Sequence, residues 1–117
     1  MPMNPTDFAG ALSVDGYGPG FFRVGGNVHH GPVIVTGQAV RPWGGLRDDA
    51  GLLAVADEAD LLFVGMGAEI GRLPTDVAAR LRAAGLMVET MSSPSAARSY
   101  NVTLAEGRRV ACALVPV

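Results

Sequence analysis

The chain contains no lysine. All nine basic residues are arginine, which excludes a lysine nucleophile or Schiff base and keeps every basic side chain charged. There is a single cysteine, Cys112, so no intrachain disulfide is available and reducing surroundings are the natural setting. Histidine is limited to His29 and His30. Adjacent side chains on a strand point to opposite faces, so this pair does not close easily on one metal ion, and no metal site is expected. No apolar run reaches the ~18 residues that a membrane helix needs. The opening, MPMNPTDFAGA, lacks the basic and apolar regions of a secretory signal and is not an arginine-rich amphipathic transit peptide. A cytoplasmic protein is expected, touching a membrane only through partners. The net charge of -2 argues against a nucleic-acid binder, which carries a basic patch or stripe.

What is present fits one domain. The 117 residues are 49% hydrophobic and only 17% charged. A chain of this length buries enough surface to fold without a metal or disulfide staple. Charge this lean points to self-association or a protein partner. Residues 1–9 are polar and proline-containing and are expected to form a flexible arm. Residues 10–117 then form the domain.

The first half reads as an antiparallel β meander. ALSVDGYG and GFFRVGG are short strands around a Gly-Pro-Gly turn, GPVIVTG is a continuous apolar strand, and QAVRPW extends it or pairs with it. The pattern changes after Trp43. DDAGLLAVADEAD reads as a short helix with Asp48 and Asp49 at its favourable positive end; its acidic tail predicts an early stop. LLFVGMG is a buried strand closed by Gly65 and Gly67. LPTDVAARLRAAG is a helix with Pro74 in its first turn, Val77, Ala78, Leu81 and Ala84 on its apolar face, and Gly85 as its stop. LMVETM is a strand. SPSAARSYNVTLAEG is a helix with Ser93 or Ser95 as N-cap and Gly107 as terminator, and RRVACALVPV is a last buried strand. The alternation from residue 61 onward implies an α/β fold around a largely parallel sheet, with the β-rich first half adding strands to it or packing beside it.

Several residues invite a chemical reading. The stretch VGMGAEIG resembles a dinucleotide fingerprint, but its spacing is G-x-G-x-x-x-G and the following helix starts too late to receive a pyrophosphate; no cofactor is expected. Gly65, Gly67, Met91, Ser92 and Ser93 sit at the carboxyl ends of two expected parallel strands, where open α/β sheets hold ligands. Arg98, one turn into the next helix, is placed to assist an anion there, and Tyr100 and Asn101 are placed to border the same pocket. The alternative for the serines is ordinary helix capping. Tyr100 and Asn101 would otherwise tie the helix to adjoining loops. Glu106 at the helix end is unfavourable unless a cation holds it, so an ion pair with Arg108 is expected. Cys112, in an apolar strand, reads as inert core. No serine–histidine–acid set is visible.

The segments GPVIVTGQAVRPW, LLFVGMGAEIGRLP and LRAAGLMVETMSSPSAARSYNVTLAEGRRVACALVP together resemble the family of mitochondrial complex I assembly factor 3 and the adipogenesis-associated Mth-domain protein. The resemblance runs from about Leu12 to Pro116. Its most specific pieces are Gly65 and Gly67 after the middle strand and the run from Ala97 to Val110. It implies a three-layer fold, with β and α elements on the two sides of a central mixed sheet. It supplies no catalytic activity. The family's best-understood branch acts through protein contacts in assembling the membrane arm of respiratory complex I, and this chain resembles a free-standing bacterial member.

Two functional expectations follow. The first is an interaction module, a factor for assembly of an inner-membrane respiratory complex, with homo-oligomerisation also open. It would present an exposed apolar patch around Phe21, Phe22 and Trp43. The alternative is a small-molecule or anion-binding protein, or an enzyme, whose pocket unites the glycine loop with Ser92, Ser93, Arg98 and Asn101.

Overall fold

The computed structural model describes residues 10–68 and 71–117; the expected arm at residues 1–9 lies outside them. In chain order the elements are β1 (Val14–Gly18), β2 (Phe21–Val24), β3 (Asn27–His30), β4 (Val33–Thr36), β5 (Val40–Pro42), α1 (Asp49–Ala54), β6 (Leu61–Gly65), α2 (Thr75–Ala83), β7 (Met87–Met91), α3 (Ser93–Ala105) and β8 (Val110–Leu114). A single 3-10 turn, Val55–Asp57, continues α1.

The strands form two sheets. One is an antiparallel meander in the order β1-β2-β3; the other is a mixed sheet in the order β5-β4-β8-β6-β7. β6 pairs in parallel with both β7 and β8, and β4 joins β8 antiparallel. The β-rich first half therefore does both things its sequence allowed: β4 and β5 extend the central sheet while β1 to β3 pack beside it.

Side-chain alternation on the central strands sorts the core into two layers. Val33, Val35, Leu61, Phe63, Cys112 and Leu114 face the meander and α3, packing with Phe22, Val24, Ala97 and Tyr100. Ile34, Leu62, Val64, Ala111 and Ala113 face the other way, packing with Leu52, Val77, Leu81 and Trp43. The result is three layers: meander plus α3, mixed sheet, α1 plus α2. β8 lies in the middle and is buried along its full length, which is why its sequence is apolar on both faces.

The helices follow local rules. Asp48 caps α1, its carboxylate accepting from the Gly51 N–H at 3.0 Å. Both long helices end in a Schellman motif. For α2, Gly85 N–H donates to Arg82 C=O and Leu86 N–H to Leu81 C=O; for α3, Gly107 N–H donates to Leu104 C=O and Arg108 N–H to Thr103 C=O. Gly85 and Gly107 both take positive φ, 88° and 81°, as this closure requires. On α2, Val77 and Leu81 are buried, whereas Ala84, expected on the apolar face, is exposed.

Three expectations are corrected here. The N-cap of α3 is Ser92, with Ser93 already helical. Phe22 and Trp43, expected at a partner surface, are core residues with 0% and 4% exposure. Burial on the inner face of the meander gives Phe22 more than a surface would. Trp43 packs beside α1 and donates its indole N–H to Asp48 C=O at 3.2 Å. Phe21 alone stays half-buried, near the His30 ring. Finally, Glu106 and Arg108 do not form the expected ion pair. Backbone donors close the α3 terminus, and the cation that finds a carboxylate is Arg109, 3.1 Å from Asp60.

Candidate functional site

The glycine loop is a closed knot. Ser93 donates its backbone N–H to Gly67 C=O at 2.7 Å. Its hydroxyl accepts from Gly67 N–H at 2.9 Å and donates to Val115 C=O at 2.5 Å. Val115 N–H returns to Gly65 C=O at 3.0 Å, and Met66 N–H to Met91 C=O at 2.8 Å. The ends of β6, β7 and β8 are thereby fastened to the first turn of α3. Gly65 is required by contact: a Cβ there would lie 2.7 Å from both Ser93 Cα and Oγ. Gly67 is required by its φ of 92°. The donors at the start of α3 that an anion would need are in use. Gly67 C=O holds the Ser93 N–H, Ser92 Oγ the Ser95 N–H, and Ser92 C=O the Ala96 N–H.

Tyr100 and Asn101 point away from this knot, toward the meander. Tyr100 is fully buried and donates its hydroxyl to Leu12 C=O at 2.6 Å. Asn101 accepts from Val14 N–H at 3.0 Å and donates to Val14 C=O at 2.9 Å. An amide side chain offers a donor and an acceptor in one plane, so Asn101 completes β1 as a neighbouring strand would. Burial pushes the Tyr100 phenol well above its ordinary value, with the neighbouring Cys112 adding to the effect. The Cys112 thiol, fully enclosed, is likewise pushed well up and is held as the unreactive thiol.

Arg98 meets the rim residues only at Met91. It is exposed on α3 and borders a shallow groove with Phe63, Glu89, Met91, Val102 and Arg108. The structure thus brings Gly65, Gly67, Met91, Ser92 and Ser93 together at one rim. Arg98 lies along the flank of β7, and Tyr100 and Asn101 face the opposite sheet. His29 and His30 lie on β3, His29 half-buried and His30 exposed. Among the described residues no three His, Cys, Asp or Glu side chains cluster as a metal ion would require.

Two features do more than the sequence reading assigned to them. Asp48 organises the turn after Trp43, accepting from both Gly44 and Gly51 N–H groups at 3.0 Å; these bonds lower its pKa below the ordinary carboxylate value. The signal was an aspartate at the head of a helix next to two glycines. The other is β7, which forms one edge of the central sheet. Its alternation, Met-Val-Glu-Thr-Met, carries a mid-strand charge that a buried central strand would not tolerate.

With this geometry in view, the chain matches a family model described as "Protein of unknown function (DUF498/DUF598)" across residues 14–115. The chain belongs to this family. One relative, an uncharacterized protein of Rhodobacter capsulatus, is 54% identical over 117 residues, covering 100% of this chain and 94% of its own length. A second is the zebrafish (Danio rerio) NADH dehydrogenase [ubiquinone] 1 alpha subcomplex assembly factor 3. It is 30% identical over 107 residues, or 86% of this chain, and the match spans 62% of the zebrafish protein's length. Among solved structures, a Mth938-like domain from Bordetella pertussis superposes with a TM-score of 0.79 at 25% identity, covering 99% of this chain and 91% of that one. The family's three-layer arrangement, expected from the resemblance, is the one this chain adopts.

Proposed function

We propose that this protein acts through protein contacts as an assembly factor for a membrane-bound respiratory NADH dehydrogenase. The observation that carries this reading is the similarity to assembly factor 3, which extends over 86% of the chain and therefore through all three layers. The fate of the polar residues supports it. Ser93, Tyr100, Asn101 and Asp48 each spend their hydrogen-bonding groups on backbone of this same chain. Arg98 shares a groove with Met91 but not with Gly65, Gly67, Ser92 or Ser93, which favours the interaction reading over a ligand pocket at the glycine rim. No helix among the described residues is long and apolar enough to cross a membrane. Contact with a membrane complex would then run through its subunits.

Deletion of the gene from its own organism tests this. Native-gel analysis of membranes should show loss of assembled NADH dehydrogenase with accumulation of partial complexes, restored by the wild-type chain. Affinity purification of the tagged chain in mild detergent should recover subunits of that complex. Normal assembly in the deletion strain, with no such subunit recovered, would overturn the reading.

A further inference from the structure

The arginines are unevenly used. Arg41, Arg80 and Arg109 are ion-paired, with Glu58, Asp49 and Asp60 respectively. Of the other six, four stand beside the same strand. Arg72 and Arg82 border a groove on the α2 side of β7 with Leu73, Ala78 and Val88. Arg98 and Arg108 border the groove on its α3 side. All four are exposed, and among the described residues none has a carboxylate partner. The one acid facing them from β7 is Glu89, which borders both grooves.

Between the two grooves, no described strand pairs with the outer edge of β7. Met87 N–H donates inward to Asp60 C=O, and Met91 C=O accepts inward from Met66 N–H. In a parallel ladder, alternate residues turn their backbone groups to the same side. Met87, Glu89 and Met91 therefore face β6, while the N–H and C=O of Val88 and Thr90 face outward. The opposite edge, β5, is shielded differently. It has only three residues, ends in Pro42 and is flanked by the Arg41–Glu58 pair at 2.8 Å. β7 has no proline, and the apolar side chains beside it are unusually bare: Met87 is 66% exposed and Val102 62%.

We infer that β7 is a docking edge for an extended, acidic segment of a partner protein, which adds as a further strand. Outward groups of Val88 and Thr90 would supply main-chain hydrogen bonds. Alternate side chains of the added strand would then fall to the two grooves. Each groove offers apolar surface next to a pair of arginines, so the matching strand carries apolar residues with carboxylates on both faces. A second copy of this chain fits poorly. Two-fold pairing through β7 would bring four arginines against four, and the symmetric register would oppose Glu89 to Glu89, which is destabilising. The inference rests on the assembly reading only in taking the partner to be a protein.

The test uses the full chain, isotopically labelled, with three probes: a synthetic peptide of glutamate, valine and threonine; the same peptide with lysine for glutamate; and a mixed-sequence single-stranded RNA. The acidic peptide should slow amide exchange at Val88 and Thr90 and shift both grooves. The double variant Arg82→Glu/Arg98→Glu, altered only at exposed positions, should weaken binding about tenfold. Thr90→Pro, which removes an outward donor and leaves the bonds to β6, should weaken it independently. Equal binding of the lysine peptide, protection by RNA alone, protection by self-association without peptide, or no protection at all would each overturn the proposal. In the deletion strain, full rescue by the double variant would overturn the docking edge while leaving the assembly reading intact. A deletion strain with normal NADH dehydrogenase would overturn the assembly reading whatever the peptides do.

Discussion

Asn101 holds Val14 by both of its backbone groups, at 3.0 and 2.9 Å, across 87 residues of sequence. One side chain on α3 thereby serves as the missing strand beside β1. Replacement by leucine leaves two partly buried backbone groups without a partner and should cost about 2–3 kcal/mol in urea unfolding. Hydrogen exchange should accelerate in β1 and β2 while β6 and β8 keep their protection. Uniform loss of protection would contradict the division into meander and central sheet.

The knot at the glycine loop predicts an order of severity. Ser93→Ala removes two hydrogen bonds but keeps the volume and should cost about 2 kcal/mol. Gly65→Ala pushes a methyl into the backbone of α3, 2.7 Å from Ser93 Cα, and should cost about 3 kcal/mol or more, because neither element yields easily. Gly67→Ala meets only ordinary contacts, Pro116 C=O at 3.7 Å and Val115 Cγ1 at 4.0 Å, but a φ of 92°, and should cost about 1–2 kcal/mol. Chemical denaturation of the three variants checks the ranking.

Alkaline pH should destabilise the fold through two buried groups. Their ordinary values are 9.0 for the Cys112 thiol and 10.0 for the Tyr100 phenol, and burial raises both. In the unfolded chain they ionise at the ordinary values while the folded chain keeps its protons. Stability is whole below about pH 9 and falls as pH rises past each ordinary value toward the raised ones. Cys112→Val should delay the onset of that fall. Tyr100→Phe should remove its second part, at a cost of about 1–2 kcal/mol at neutral pH for the Leu12 bond. Thermal melts across pH 7 to 11 measure both.

At the acid end the sign reverses for Asp48. Two backbone donors lower its folded pKa below 3.8, so its contribution is present above that value and is lost as pH falls through the folded one. Asp48→Ala should lower the melting temperature at pH 7 and flatten the acid limb of the profile. An unchanged acid limb would show that the cap does not carry it.

Much of the second half of the fold was legible because its two central strands are buried along their full length. β6 and β8 read as strands from continuous apolar runs, and the glycines that close α2 and α3 marked both ends. The alternation of strand and helix gave the α/β class, and the three-layer arrangement was what the family resemblance implied. β3 was not legible. Asn-Val-His-His has no apolar alternation, since it is mostly exposed and, among the described strands, pairs only with β2. Phe22 and Trp43 were misplaced for a related reason: large apolar residues look alike in sequence whether they fill a core or a surface, and only the packing of two sheets separates the cases. Ser92 and Ser93 differ by one position, and whether a serine caps a helix or pins a loop is decided by the chain 26 residues upstream at Gly67. The pairing of Arg109 with Asp60 rather than Arg108 with Glu106 is likewise a tertiary choice, since adjacent residues near a strand start point apart.

The central place of β8 has a consequence for synthesis. Ribosomes deliver β4 and β6 well before β8, the strand that lies between them, so although β4 can pair with β5 and β6 with β7, the two halves of the sheet cannot join until β8 emerges. The meander is in the same position, because Leu12 and Val14 wait for Tyr100 and Asn101. Closure of the central sheet is therefore a late event, and nascent chains halted before Val110 would expose the apolar edges of β4 and β6 to chaperones and proteases.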